Sequence, residues 1–309
     1  MKTGLIYHPI FLQHDTGDHH PERASRLQAI LRKLKKTGLI DKLDLVEPGA
    51  AQVEDVALAH SRDYITSVEE ACKNAPANLD PDTVVSRDSY RAALFAAGAV
   101  VKAADLVING EARNAFCMVR PPGHHARTGQ AMGFCLFNNV AIGAKYVQKR
   151  YGIGRIAIID WDVHHGNGTE EIFYKDPSVL YISLHQYPHY PGTGKAGDTG
   201  EDRGKGFNLN IPMQASSGND EYIKVFKDKV TPKLKDFNPE FVFISAGFDG
   251  HRDDPLSSTN LTETGYHEMT CMIKELAPGR LVSVLEGGYN LFSLADSAHS
   301  HISALTLTN

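Results

Sequence analysis

The chain has 309 residues, 42% of them hydrophobic, and a formal net charge of −5 at pH 7. The mild negative charge and the lack of a Lys/Arg block exclude an extended nucleic-acid-binding surface and weakly favour a cationic substrate. No Pro/Ser/Gly-rich linker, composition break or internal repeat divides the sequence, so we predict a single domain over residues 1–309.

The four cysteines have no CxxC or disulfide-framework spacing, which predicts reduced thiols in a reducing compartment. The N-terminal stretch lacks the apolar segment of a signal peptide, and no run of about 18 apolar residues could span a membrane. We therefore expect a cytoplasmic protein with no membrane or nucleic-acid partner. The sequence leaves the formation of a homo-oligomer open.

Apolar runs and helical periodicities alternate along the chain. Strands are predicted at Gly4–Tyr7, Asn114–Arg120, Ile156–Asp160, Val179–Leu184, Phe241–Ser245 and Leu281–Leu285. Helices are predicted at Pro21–Thr37, Ser89–Ile108, Asn138–Tyr151 and Asp220–Phe237. Repeated strand–helix–strand order predicts an α/β fold with a parallel sheet and right-handed crossovers.

Ionisable side chains follow one of these strands directly. The segment IAIIDWDVHHGNG places Asp160, Asp162 and His164 two residues apart, so that their side chains project to one side where the strand ends. A buried strand has no use for such groups unless they are paired or bound to an ion. Asp162 and His164 therefore suggest a divalent metal site, with Asp249, after a neighbouring strand, as the third ligand. Three ligands and an open position are typical of catalytic zinc, although this set would also accept iron(II) or cobalt.

Two further strand ends supply groups for catalysis. A Pro-Pro-Gly turn presents His124 and His125, of which one can deprotonate a water and the other can hold charge or donate a proton. Asp160 is placed to orient one of them. Tyr289, after two glycines, can hydrogen-bond an oxyanion. Because ligands bind at the carboxyl ends of parallel strands, we expect these groups to converge.

Some polar residues have simpler interpretations. A cluster near the N-terminus resembles a second metal site, but we interpret it as a polar rim loop before a helix: His14, Asp15, Asp18, His19 and His20. His165, on the opposite side of the strand from His164, is interpreted as structural. Phosphate-binding GxGxxG loops are absent, so no nucleotide cofactor is predicted.

Six motifs together resemble the zinc-dependent histone deacetylase family, in the expected order and over nearly the whole chain. They are PPGHHA (121–126), GFCLFNN (133–139), DWDVHHGNGT (160–169), SLHQ (183–186), SAGFDGHRDDPL (245–256) and EGGYN (286–290). The resemblance is closest to the class II branch and its prokaryotic deacetylase-like amidohydrolases. It implies the arginase–deacetylase fold, a single open parallel sheet of about eight strands with helices on both faces.

The resemblance also implies roles for individual residues. One catalytic zinc ion would be bound by Asp162, His164 and Asp249. His125 would be the general base, His124 would pair with Asp160, and Tyr289 would polarise the acyl carbonyl. Gly133 and Phe134 would form one tunnel wall and Tyr190 the other. Asp82 would be a rim carboxylate, and Arg26 would line an internal channel.

One or two structural potassium ions are implied in the same way. The inner site would be formed by Asp160, Asp162, His164, Ser183 and Leu184. The outer site would be formed by Phe173, Asp176, Val179 and Phe207.

Three departures from the family pattern bear on function. Asn167 stands where class I members carry an aspartate next to the base, so it would orient His125 without increasing its basicity. Tyr190 replaces a usual phenylalanine and makes that wall more polar. Leu256 occupies the gatekeeper position where polyamine-selective relatives carry glutamate, which favours an acyl-lysine substrate in a protein or peptide.

The alternatives belong to other functional classes. An acetylpolyamine or other small-molecule amidohydrolase, acting on an acylated amine, remains the main one. A two-manganese arginase-type hydrolase is disfavoured, because Gly166 and His251 occupy the positions of the second metal's aspartates. A non-catalytic acyl-binding or scaffold protein is disfavoured, because every catalytic group is present.

Overall fold

A computed structural model describes residues 1–307. Eight parallel strands form the main sheet, and two short antiparallel strands, β3 and β4, form a separate ribbon. In chain order the strands are β1 (Thr3–Ile6), β2 (Leu43–Val46), β3 (Ala77–Asn78), β4 (Val84–Val85), β5 (Asn114–Cys117), β6 (Ile156–Asp160), β7 (Val179–Gln186), β8 (Asn208–Met213), β9 (Phe241–Ala246) and β10 (Leu281–Leu285).

Within residues 1–307, ten α-helices connect and cover the strands. They are α1 (Ser25–Thr37), α2 (Val53–Val56), α3 (Arg62–Lys73), α4 (Ser89–Ile108), α5 (Asn139–Tyr151), α6 (Asn167–Phe173), α7 (Asn219–Val225), α8 (Thr231–Phe237), α9 (Glu263–Leu276) and α10 (Leu291–Thr306). Short 3₁₀ segments lie at Pro9–Gln13, Leu39–Lys42 and Asp202–Gly204, and a π turn at Phe226–Val230 joins α7 to α8.

The order of strands across the sheet is β2-β1-β5-β10-β9-β6-β7-β8. Strands β10, β9 and β6 therefore lie at its centre, and the register pairs Asp160 with Ser183 on one side and with Ser245 on the other. Because all strands of this sheet are parallel, their carboxyl ends lie along one edge. The loops that follow β5, β6, β9 and β10 meet there.

Helices cover both faces of the sheet. Neighbouring residues of β5 illustrate this, since side chains alternate along a strand. The Cys117 thiol donates to the Ala99 carbonyl of α4 at 3.5 Å, whereas the Phe116 ring packs against His301 of α10 with centroids 5.4 Å apart. This is the arginase–deacetylase α/β fold, as the sequence predicts.

Some predicted boundaries differ from those observed. The first strand is Thr3–Ile6 rather than Gly4–Tyr7, and β5 ends at Cys117 rather than Arg120, because Met118–Arg120 leave the sheet toward the Pro-Pro-Gly turn. The helix predicted over Asp220–Phe237 contains the π turn instead of being uniform. Pro232 lies in the first turn of α8, where it has no amide hydrogen to donate into the preceding turn.

The four cysteines form no disulfide in the described part of the chain. Over the same residues, 1–307, every helix is too short or too polar to cross a bilayer.

The packing of α4 gives a stability test. A Cβ at Gly98 would overlap the backbone carbonyl of Gly49, and Ala51 donates its amide to Leu94 of the same helix at 2.8 Å. We expect Gly98→Ala to lower the free energy of unfolding by about 1–3 kcal/mol, despite the helix preference for alanine. Denaturant unfolding measures this loss. Gly197→Ala, where the new Cβ meets nothing within 4 Å, is the control and should change stability little. A Gly98→Ala protein as stable as the control would contradict this packing.

Candidate active site

Three buried side chains converge beyond the ends of β6 and β9. His164 Nδ1 lies 3.1 Å from Asp162 Oδ1 and 3.2 Å from Asp249 Oδ2. All three ligand atoms lie within 4.8 Å of one another. The predicted trio is therefore brought together at the carboxyl edge of the sheet, in a geometry that one metal ion could bridge.

Backbone amides hold the other carboxylate oxygens. Gly287 donates its amide to Asp162 Oδ2 at 2.8 Å, and Val163 donates to Asp249 Oδ1 at 3.0 Å. These bonds leave the remaining oxygens facing His164. Supporting hydrogen bonds of this kind orient metal ligands.

Glycines leave the space that the two carboxylates occupy. A Cβ at Gly287 would overlap Asp249 Oδ2 and lie 2.6 Å from Asp162 Oδ2, and a Cβ at Gly247 would overlap Asp162 Oδ2. The loop after β10 must therefore approach the ligands with no side chain.

The electrostatics of the trio fit a cation. Burial lowers the pKa of His164, but hydrogen bonds with Asp162 and Asp249 outweigh it and raise the pKa to about 10. Burial and the charge of Asp162 raise the pKa of Asp249. Two carboxylates and a neutral imidazole carry a charge of −2, so the donor set fits a divalent ion that displaces the His164 proton.

His124 is paired with Asp160, as predicted. His124 Nδ1 donates to Asp160 Oδ2 at 3.0 Å, and the Tyr181 hydroxyl donates to the same oxygen at 3.0 Å. Burial lowers the pKa of His124, but the charges of Asp162 and Asp160 outweigh it and raise the pKa to about 10. His124 is therefore protonated near neutral pH.

The pKa of His125 is shifted in the opposite direction. Its Nδ1 lies 2.8 Å from Asn167 Oδ1, so Nδ1 carries the hydrogen and Nε2 is left as an acceptor. Burial and the positive charges of His124 and His164 hold the pKa of His125 well below its usual value. A Cβ at Gly133 would overlap the His125 ring, so Gly133 is needed for the close approach of the wall segment to this histidine.

Glu286 anchors the turn that carries both histidines. Its Oε2 accepts the amides of Gly123 at 2.7 Å and His124 at 3.2 Å, and its Oε1 accepts the Ser245 hydroxyl at 2.9 Å. The sequence places this glutamate inside a motif, but we predicted no role for it. Its position directly after a buried strand, as for Asp160, is the signal that could have indicated one.

Aromatic rings flank the entrance to the metal-ligand trio. Phe134 and Tyr289 pack edge to face with centroids 5.8 Å apart, and the Tyr190 ring lies 5.3 Å from that of His125. We call the space between Phe134, Tyr190 and Tyr289 the aromatic cleft. The Arg26 guanidinium carbon lies 5.0 Å from the Tyr289 ring centroid, beneath the cleft.

The wall at Phe134 is locally strained. Phe134 has φ 68°, and Gly133 before it has φ 55°, both in the left-handed region. Thr83 Oγ1 accepts the Phe134 amide at 3.1 Å and holds the bend in place. Asp82, which precedes Thr83 in the chain, therefore lies beside the aromatic cleft. Burial and Asp80 raise the pKa of the Asp82 carboxyl group to about 6.

Leu256 lies on the other side of the entrance, next to a residue that we did not predict. His189 Nε2 donates to the Leu256 carbonyl at 2.9 Å, and its ring stacks on His164 with centroids 5.1 Å apart. His189 thus links the gatekeeper position to a metal ligand.

The residues proposed to bind potassium lie on and around strands β6 and β7. At the inner site, Asp160 and Ser183 are register partners, and Leu184 follows on β7. At the outer site, the carbonyls of Phe173, Asp176 and Phe207 accept the amides of Asp176, Val179 and Tyr181, while the Asp176 carboxylate pairs with Lys145 at 2.7 Å. Potassium binding at either site stays a prediction.

The polar residues that we interpreted as structural or as part of a rim loop differ in their burial. His165 is buried and hydrogen-bonded to Thr193 and Glu170, which agrees with the structural interpretation. We expected His14 to belong to the polar rim loop, and this prediction is wrong. His14 is buried, and its Nδ1 forms a hydrogen bond with the Ser89 hydroxyl at 2.7 Å. Asp15, Asp18 and His19 are exposed, and His20 is half-buried.

Comparison with known proteins agrees with this geometry. Residues 20–305 match the histone deacetylase domain family. A probable deacetylase of Archaeoglobus fulgidus is 43% identical over 94% of this chain and 82% of its own length. Human histone deacetylase 9 is 38% identical over 98% of this chain but 34% of its own length. The crystal structure of the HDA15 HD domain has a TM-score of 0.96 and 38% identity, covering 99% of this chain and 88% of that one.

The fold and these matches define a hydrolytic deacetylase of the arginase–deacetylase class. The chain belongs to the histone deacetylase family. It spans about a third of human histone deacetylase 9 and about half of Arabidopsis thaliana histone deacetylase 5, at 34% and 49% of their lengths.

The ligand trio can be tested by removing Asp249. We expect Asp249→Ala to lose bound zinc, because one of three protein ligands is gone. Asp162 is then the only carboxylate of the trio that balances the positive charge of the ion. Elemental analysis of the purified protein measures zinc content, with Asp253→Ala as the control in the same loop. Since Asp249 also accepts the Val163 amide, a thermal melt must confirm that the variant is folded. Full zinc occupancy in folded Asp249→Ala would contradict the assignment.

Proposed function

We propose that this protein is a zinc-dependent deacylase that hydrolyses the amide of N-ε-acyl-lysine, such as acetyl-lysine, in proteins or peptides. The observation that carries the proposal is the convergence of the Asp162–His164–Asp249 trio with His125, whose Nδ1 is bonded to Asn167, and with Tyr289 in the wall of the aromatic cleft. When bound, zinc supplies a Lewis acid that polarises an acyl oxygen and lowers the pKa of a water molecule.

His125 is suited to accept the proton of the attacking water. Its pKa is held well below the ordinary histidine value, and the Asn167 contact leaves Nε2 free as the acceptor. His124, with its pKa raised to about 10, keeps a positive charge beside the reacting atoms and can donate a proton toward the departing amine. Two adjacent imidazoles with opposite protonation states divide acid and base work between them.

Tyr289 is suited to donate a hydrogen bond to the acyl oxygen. Burial and the charge of Asp249 raise the pKa of its phenol well above the ordinary value, so the hydroxyl keeps its proton. The negative charge that develops on the acyl oxygen gains most from such a neutral donor fixed in place.

The entrance favours a lysine side chain. Phe134, Tyr190 and Tyr289 present aromatic surface to an aliphatic chain, and Leu256 offers no charge to a second ammonium group. Asp82, beside the cleft, can accept amide hydrogens from a peptide backbone. An acetylpolyamine or other small acylated amine is the alternative substrate. We propose no membrane or nucleic-acid partner. We also propose the cytoplasm as the compartment and leave self-association open.

The substrate proposal is tested by comparing turnover. Acetyl-, longer-acyl- and trifluoroacetyl-lysine peptides should be hydrolysed with kcat/KM at least about 10-fold above acetylputrescine and acetylspermidine, because no carboxylate at Leu256 pairs a second charge. A chelator should abolish turnover, and added zinc should restore it. A reversed preference would favour the small-molecule alternative. Zinc-loaded protein inert on every substrate would overturn the enzymatic proposal.

The role of Tyr289 is tested by removing its hydroxyl. Tyr289→Phe should lower kcat roughly 10²–10³-fold with zinc content unchanged, by analogy with the loss of other oxyanion donors. Steady-state kinetics and elemental analysis measure the two quantities. Tyr187→Phe, the loss of a hydroxyl directly after β7, is the control. An unchanged rate in Tyr289→Phe would remove this residue from the mechanism.

A further inference from the structure

The backbone that carries Tyr289 is held by a carboxylate from another loop. Asp254 is 5% exposed, and its Oδ2 accepts the amides of Tyr289 at 2.6 Å and Asn290 at 3.2 Å. These contacts join the loop after β9 to the turn after β10, 35 residues further along the chain.

Asp254 is itself fixed by its own loop. Its Oδ1 accepts the amide of Leu256 at 3.0 Å, two residues on, and its backbone amide donates to the His251 carbonyl at 2.9 Å. The local turn therefore sets the direction of the carboxylate, and the second oxygen points across to Tyr289. Asn290 adds a parallel link, since its Nδ2 donates to the Asp253 carbonyl at 3.0 Å.

Such a restraint has a role because the two residues before Tyr289 are glycines. Gly287 is required for the approach to the metal ligands, and Gly288 has φ 119°. Two successive glycines allow many directions for the chain that follows. Arg26 fixes one side of this turn by donating to the carbonyls of Glu286 at 2.5 Å and Gly288 at 2.6 Å. Asp254 fixes the other side by accepting the amides.

We propose that Asp254 is a positioning residue for catalysis, which holds the Tyr289 backbone so that the phenol points at the acyl oxygen. This inference rests on the proposed function of Tyr289 as the oxyanion donor. The same carboxylate orders the Leu256 turn, so the donor and the gatekeeper are located by one side chain. We propose no contact of Asp254 with the substrate or with a metal ligand, so its effect on catalysis passes only through Tyr289.

The test is a double-mutant cycle between Asp254→Asn and Tyr289→Phe in the full-length zinc-loaded enzyme. Asparagine presents an NH₂ group where an acceptor oxygen stood, so it cannot accept every one of these amides. Alone, Asp254→Asn should lower kcat roughly 10- to 100-fold, since a displacement of the Tyr289 hydroxyl by about 1 Å can have that effect. In the Tyr289→Phe background it should lower kcat by no more than about twofold, because the donor it positions is already absent.

The controls separate positioning from damage to the fold. Asp253→Asn changes the neighbouring carboxylate, which is 59% exposed, and should leave kcat unchanged. Asp254→Ser serves if the asparagine variant does not fold: its hydroxyl can still accept the Leu256 amide but is too short to reach Tyr289, and the same cycle applies. Zinc content and the thermal melt are measured for each variant.

The outcomes distinguish this inference from the proposed function. If Tyr289→Phe lowers kcat and Asp254→Asn lowers it by the same factor in both backgrounds, Asp254 acts on stability or on another group, and the inference is overturned. An Asp254→Asn enzyme with wild-type kcat overturns it as well. If Tyr289→Phe itself has no effect, the proposed role of Tyr289 fails first, and the inference fails with it.

Discussion

The structure depends on compensating several carboxyl groups that are buried in the interior. Asp160, Asp162 and Asp249 are each fully or almost fully buried at the carboxyl edge of the sheet. An unpaired buried charge costs several kcal/mol, so each of them must have a positive or hydrogen-bonding partner. His124 and Tyr181 serve Asp160, while His164 and backbone amides serve the other two. A divalent ion bound by the trio would complete this compensation, and the glycines around the carboxylates keep other side chains out of the space between them.

The same buried charges give the two neighbouring histidines different electrostatic environments. Their ring centroids are only 4.0 Å apart, yet His124 faces carboxylates and His125 faces a neutral amide. The pKa of His124 is therefore raised and that of His125 is lowered, although both follow the same Pro-Pro-Gly turn. Glu286 fixes that turn through its backbone amides, and Asp254 fixes the Tyr289 turn in the same way. Buried carboxylates thus act here in two ways, as charge partners of catalytic groups and as acceptors that hold loops.

Sequence reasoning predicted the groups that converge at the carboxyl edge of the sheet, because Asp, His and Tyr residues follow several apolar strands at the ends where ligands bind. It missed Asp254, whose partners are backbone amides 35 residues away and leave no pattern near it. It also missed the edge strands β2 and β8, because LDLV and NLNIPM contain polar residues and a proline instead of a continuous apolar run. The buried position of His14 depends on Ser89, 75 residues distant, which no local pattern could indicate.

The central claim is that Asp162, His164 and Asp249 bind one catalytic divalent ion. The most direct measurement is a crystal structure of the zinc-loaded protein with anomalous data collected at the zinc absorption edge. We expect a single strong anomalous peak in this site, about 2.0–2.2 Å from one atom of each residue and with room for a further ligand. A zinc peak elsewhere in the molecule, or a peak closed off by a fourth protein ligand, would contradict it.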